Sequence, residues 1–193
     1  MTENVIQLII GLGNPGDKYS KTRHNAGFWF IDALAEKYNA SFKTETKFSG
    51  ELAKVSIEGQ VVWLLKPSTF MNRSGLAAHQ ITQFYKIPTE NVLVAYDELD
   101  LSVGIARLKK SGGHGGHNGL RDIHAQITKE YLRLRLGIGH PGDSKKVADY
   151  VLSTPNKNDE IAIANAIDRS LEIIPQVIAG DIQKAMNVLH TEG

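Results

Sequence analysis

The chain has no cysteine, which excludes disulfides and thiolate chemistry and fits a reducing cytosol. It has no apolar run of about 18 residues, the length that marks a membrane-spanning helix, and no signal-peptide pattern at its start. Repeats, linkers and low-complexity tracts are absent as well. Metal ligation has little to work with. His114 and His117 stand three apart, but in a glycine-rich stretch with no cysteine beside them. Net charge is nearly absent too, at +1. What remains is an ordinary globular composition, 41% apolar and 22% charged over 193 residues, enough for one domain with a substantial core. The expectation is a single cytoplasmic domain over residues 1–193, working without metal or cofactor.

The small net charge hides an asymmetry. Between Ile105 and Tyr150, nine Lys and Arg residues stand against four acids, a local +5 set against −4 elsewhere. A focal basic region on a nearly neutral chain suits contact with a polyanion. A solvated charged face has the same composition, so charge alone does not decide.

The organising stretch is Gly11–Gly27, which follows an apolar run, Val5–Leu12, with the length and branching of a buried strand. Gly11, Gly13 and Gly16 fit G-x-G-x-x-G, but a dinucleotide site requires a helix to open at the third glycine. Here Pro15-Gly16 makes a turn, Asp17–Arg23 is polar, and helical spacing begins only with Phe28, Ile31, Leu34, Ala35 and Tyr38. The glycines therefore shape a turn at a strand end, and the residues they present are Asn14 and, beyond the loop, His24 and Asn25.

Further along, the pattern predicts a helix from about Asn25 to Tyr38 and two strands, Phe48–Ile57 and Val61–Leu65, joined at Glu58-Gly59-Gln60. A helix over Arg73–Tyr85 follows, with Leu76, Ile81 and Phe84 on its stripe. Strands are expected at Val92–Ala95, Gly104–Leu108 and Leu132–Leu136, the last alternating arginines with leucines. Helices are expected at Leu120–Ile127, Lys145–Leu152, Asp159–Ala179 and Ile182–Leu189. Strands alternating with helices, plus one hairpin, give an α/β domain on a twisted mixed sheet flanked by helices.

Asn14, Asn72, Asp97 and Asn118 all fall just beyond apparent strands, where ligands bind in open α/β sheets. His24 is the one evident general base, and a carboxylate such as Asp97 could fix its tautomer and stabilise the imidazolium. Asparagine amides offer neutral donors to a developing oxyanion. The set suits attack of water on an activated carbonyl such as an ester.

Six blocks in order resemble the bacterial peptidyl-tRNA hydrolase family. They are Gly11–Gly16 with Tyr19, Thr22–Gly27, Lys66–Asn72 with Ser74-Gly75, Asp97–Asp100, Gly112–Leu120, and Arg133–Arg135 with Gly137–Gly142. The resemblance spans residues 5 to about 155 and implies a monomeric α/β enzyme that cleaves the ester between a peptide and the 3′-terminal ribose of tRNA. It implies that His24 is the catalytic base, Asp97 its partner, and Asn14, Asn72 and Asn118 the residues that position substrate and stabilise water or oxyanion, Asn72 at the transition state. It places Tyr19, Met71 and His117 along the peptide channel. It turns Arg107, Lys109 and Arg135 towards the tRNA acceptor end, with Arg107 where the family also uses Lys. An RNA-binding module without catalysis would use the basic face but leave His24 and the asparagines without a purpose. A dinucleotide-dependent oxidoreductase would need the helix that the glycine stretch lacks.

Overall fold

The computed structural model describes residues 5–192; residues 1–4 and 193, the ends of the expected domain, lie outside it. Seven strands form one sheet in the order β2-β3-β4-β1-β5-β7-β6. They are β1 (Leu8–Gly11), β2 (Lys43–Glu45), β3 (Gly50–Ile57), β4 (Gln60–Pro67), β5 (Val92–Glu98), β6 (Ala106–Lys110) and β7 (Leu132–Gly137). The helices are α1 (Ala26–Lys37), α2 (Ser74–Tyr85), α3 (Asn118–Ile127), α4 (Val147–Val151), α5 (Lys157–Ile178) and α6 (Ile182–Glu192). The α/β class and the mixed sheet agree with the sequence reading.

β1 lies at the centre because it is apolar on both faces. Ile6 and Ile9 enter the core shared with α1, α5 and α6, while Leu8, Ile10 and Leu12 enter the core shared with α2 and α3. Its neighbours β4 and β5 both run parallel to it, and β7 runs parallel to β5. The carboxyl ends of these four strands therefore share one edge of the sheet. The chain leaves β1 through α1 on one face and returns beside it as β4. It then crosses through α2 on the other face to β5, so a crevice opens at this edge around β1. The outer strands are antiparallel. Glu58 and Gly59, both at positive φ, turn the β3–β4 hairpin.

Several boundaries differ from expectation, each for a local reason. β5 continues to Glu98, pairing Asp97 with Leu136, so Asp97 lies within a strand and not beyond one. α3 opens at Asn118, two residues early, because His117 caps it; Asn118 is thus the first residue of a helix. β6 begins at Ala106 because Gly104 is spent in a turn at φ 88°. β2 has three polar residues and no alternation, which hid it. Phe84 keeps its helical spacing but is 57% exposed, packing edge-on over the buried Phe48 and beside Tyr85. The long α5 carries the predicted stripe of Ile163, Ile167, Leu171, Ile174 and Ile178 into the core, and Asn156 caps it by accepting from Asp159 N–H at 2.9 Å.

Candidate active site

The glycines of the first loop serve close packing more than turning. A β-carbon on Gly27 would lie 2.4 Å from the carbonyl oxygen of Ala95, and one on Gly11 would lie 2.5 Å from that of Gly27. The first turn of α1 therefore rests directly on β1 and β5. The chain enters α1 through a 3-10 turn over Arg23–Asn25, and this contact sets the turn, with His24 in it, over the end of β5. Gly13 fits against the ring of Phe28, and only Gly16, at φ 98°, uses the freedom of a turn. No helix opens at Gly16, so the dinucleotide reading fails on structure as it did on sequence.

His24 Nδ1 donates to Asp97 Oδ2 at 2.7 Å, and His117 Nε2 donates to Asp97 Oδ1 at 2.8 Å. Asp97 is fully buried. Burial opposes its ionisation, but attraction to His24 and the hydrogen bonds from both histidines hold its pKa down at about 2. Burial by itself would lower the pKa of His24; the charge and hydrogen bond of Asp97 outweigh it and leave His24 above its ordinary value of 6.5. With its proton on Nδ1, the His24 ring keeps the Nε2 lone pair for a proton acceptor's work. His24, Asp97 and His117 offer three ligand atoms within 4.8 Å of one another. Those nitrogens are already committed, through their protons, to the carboxylate.

His24 and Asp97 line a cleft of about 270 Å³, together with Glu98, Leu99, Gly115, Gly116, His117 and Asn118. The opposite wall is Ser144, Val147, Ala148 and Val151, from α4 and the turn before it. Arg23 ties this wall to the catalytic turn. Its backbone N–H donates to Ser153 O at 3.0 Å, its guanidinium donates to Ser153 Oγ and sits over the Tyr150 ring at 4.3 Å, and it pairs with Asp159 at 3.4 Å.

Asn14 is buried beside this arrangement and held by a second asparagine. Its backbone N–H donates to Asn25 Oδ1 at 2.8 Å, and Asn25 Nδ2 donates back to Asn14 O at 3.0 Å. Asn14 Oδ1 accepts from Met71 N–H at 2.7 Å, which orients the amide and leaves its Nδ2 without a partner among the described residues. Met71 is buried, and the next residue, Asn72, is exposed on a short 3-10 turn. The structure thus brings together His24, Asp97, His117 and Asn118 in the cleft and locks Asn14 to Met71. Asn72 and Tyr19 do not line that cleft; Tyr19 packs edge-on against the exposed Phe70 at 6.1 Å.

The basic residues lie on β6 and β7. Arg107 stands directly opposite Arg135, and Lys109 opposite Arg133, so like charges face each other across the strands. Among the described residues, Arg107, Lys109 and Arg135 form no ion pair. Burial together with Arg107 and Arg135 pushes His190, which accepts from Leu108 N–H at 3.1 Å, below its ordinary pKa. Arg133 differs from its neighbours. It is buried, and its guanidinium donates to the carbonyls of Gly112 and Gly113, holding the glycine-rich loop. The alternation of arginine and leucine concealed that difference. Arg23 was missed as a working residue and Asn25, although presented by the loop, was given no role; both flank His24 in sequence.

The profile of the peptidyl-tRNA hydrolase family matches residues 8–193. The chain is 53% identical over 190 residues to the peptidyl-tRNA hydrolase of Neisseria meningitidis serogroup A, spanning 98% of this chain and 99% of that one. It is 52% identical to the peptidyl-tRNA hydrolase of Stenotrophomonas maltophilia, across 96% and 97% of the two chains. The crystal structure of peptidyl-tRNA hydrolase from Acinetobacter baumannii superposes with a TM-score of 0.95 at 47% identity, covering 98% of this chain and 96% of that one. With sequence and fold both matched over nearly the whole length, the chain belongs to the peptidyl-tRNA hydrolase family.

Proposed function

We propose that the chain hydrolyses the ester between a peptide and the 3′-terminal ribose of tRNA, with His24 as general base. The observation that carries this reading is the buried His24–Asp97 pair, whose free Nε2 belongs to a residue lining the cleft. Water attacks the ester carbonyl and gives its proton to His24 Nε2, and Asp97 stabilises the imidazolium. The family resemblance supports Asn72, exposed on the turn after Met71, as the donor to the tetrahedral oxyanion. The intermediate expels the ribose oxygen, which takes the proton back from His24, leaving tRNA with a free hydroxyl and a peptide carboxylic acid that loses its proton to solvent. An ester with a ribose leaving group is activated relative to an amide, so a positioned water suffices without a covalent nucleophile.

Asn14 Nδ2 and Asn118 bond the peptide unit next to the ester. An aminoacyl-tRNA presents an ammonium there and leaves such donors unpaired, which discriminates in favour of an N-blocked substrate. Tyr19, Met71 and His117 border the path of the peptide. Lys109, Arg135 and Arg107 hold the acceptor end, an assignment supported by their lack of ion-pair partners among the described residues. All of these residues come from one chain, which is compatible with action as a monomer.

The experiment is incubation with N-acetyl-aminoacyl-tRNA, measuring release of free tRNA. His24→Ala is expected to lose about 10²–10⁴-fold in kcat, the worth of general-base assistance, while tRNA affinity is retained. Activity that survives His24→Ala unchanged removes the assignment.

A further inference from the structure

His117 makes two sets of hydrogen bonds that together leave it one protonation state. Its Nδ1 accepts from Gly119 N–H at 3.1 Å and Leu120 N–H at 3.3 Å, free donors in the first turn of α3. A nitrogen that accepts carries no proton, so a neutral ring must hold its proton on Nε2. That nitrogen faces Asp97 Oδ1 at 2.8 Å. Protonating Nδ1 would point an N–H at two other N–H groups and strip the cap from the helix.

From this geometry we infer that His117 is a positioning residue: α3 locks its tautomer, so it supplies Asp97 with a neutral donor and thereby sets how strongly Asp97 holds the proton of His24. The inference rests on the reading of His24 as general base. The distinction between a neutral donor and a cation decides the outcome. A cationic His117 would neutralise Asp97 and weaken its pull on the His24 imidazolium. A neutral donor satisfies the second carboxylate oxygen and leaves the charge to His24.

The surroundings leave this balance undisturbed. On β5, Glu98 and Tyr96 flank Asp97; Tyr96 packs edge-on against His117 at 5.2 Å and donates to Glu98 at 3.2 Å, with Arg133 near its hydroxyl. The α4 side of the cleft presents Ser144 and apolar side chains. Arg23, although adjacent to His24, turns to Ser153 and Asp159. Among the described residues, His24 and His117 alone donate to the Asp97 carboxylate. The lock also explains why α3 starts at Asn118: the residue that caps the helix is the one that holds the carboxylate.

The test is a pH titration of the free enzyme labelled with ¹⁵N at histidine, reading ring-nitrogen shifts, with a parallel titration of His117→Asn. Asparagine caps helices well but is too short to keep the bond to Asp97. In the unsubstituted protein near neutral pH, His117 should show a protonated Nε2 and a bare Nδ1. In His117→Asn the melting temperature should hold, and the His24 midpoint should rise by about 0.5 or more as Asp97 loses its competing donor. The acid limb of kcat/KM should move with it. A proton on Nδ1 of His117 near neutral pH, or a His24 midpoint unmoved in the variant, overturns the inference. The tautomer is read on the unsubstituted protein, so a poorly folding variant does not block the test. No substrate enters the titration, so a failure of the hydrolase reading would appear separately, as intact titrations without ester cleavage.

Discussion

Asp97→Asn is the most informative single change at this site. If Asp97 served His24 alone, an amide would still accept a hydrogen bond from Nδ1 and only the loss of charge would be felt. The second histidine removes that possibility. An amide offers one acceptor and one donor where two N–H groups now point. His117 cannot change tautomer without uncapping α3, so its Nε2–H takes the amide oxygen. The amide NH₂ then faces His24, which must move its proton to Nε2, the nitrogen needed as base. A comparable amide substitution that forces the wrong histidine tautomer costs about 10⁴-fold in kcat. Charge loss by itself accounts for most of this. Two unit charges about 4 Å apart attract by about 4 kcal/mol at an effective dielectric of about 20, and about 1.4 kcal/mol is a tenfold change in rate. The assay is initial-rate hydrolysis of N-acetyl-aminoacyl-tRNA, with circular dichroism to confirm folding. A variant within about tenfold of the parent would refute the tautomer argument, because charge loss of this size and a misplaced proton cannot both be that mild.

Three further outcomes follow from the same geometry. The base works only when His24 is neutral, and its pKa is raised by Asp97, so kcat/KM should fall with decreasing pH through a midpoint above 6.5; a rate flat down to a pH of about 5 contradicts a histidine base. Asn14→Asp keeps the oxygen that accepts from Met71 N–H but replaces the free Nδ2 donor. It should raise KM for peptidyl-tRNA with little change in melting temperature, whereas unchanged kinetics would remove Asn14 from the substrate. Lys109→Ala and Arg135→Ala should each reduce the log K versus log salt slope for tRNA by about 0.7–0.9. They should also spare a minimal substrate that ends at the terminal adenosine, and equal losses on both substrates would move these residues into the catalytic cleft.

The chemistry of the site was legible because it depends on residue type. His24 after a polar loop, a carboxylate near a strand end and asparagines beside strand ends suited attack of water on an activated carbonyl, and the order of the six blocks pointed to the family. What stayed hidden depends on register and packing. The bond from His117 to Asp97 follows from α3 opening at Asn118, a boundary that the apolar pattern set two residues late. Gly11 looked like a turn-former because the groups it packs against, Gly27 and Ile31 of α1, are distant in sequence. Arg133 and Arg135 are indistinguishable as alternating charges, yet one is buried against loop carbonyls and the other is half-exposed on the basic strand. Phe84 obeyed the helical period and still lies outside the core, since periodicity fixes a direction around the helix and not what is found there.

The facing cations of β6 and β7 give salt two opposite effects on the same protein. In the empty enzyme, Arg107 against Arg135 and Lys109 against Arg133 repel one another across the ladder, so added ions relieve a strain that the fold carries by itself. In the proposed complex with tRNA, Arg107, Lys109 and Arg135 would release counterions as they meet phosphate, so added ions would loosen the grip. On the proposed reading, such a protein would be held together more firmly by the conditions under which it binds its substrate less well, and tRNA, in replacing those ions, would become part of what keeps this corner of the sheet closed.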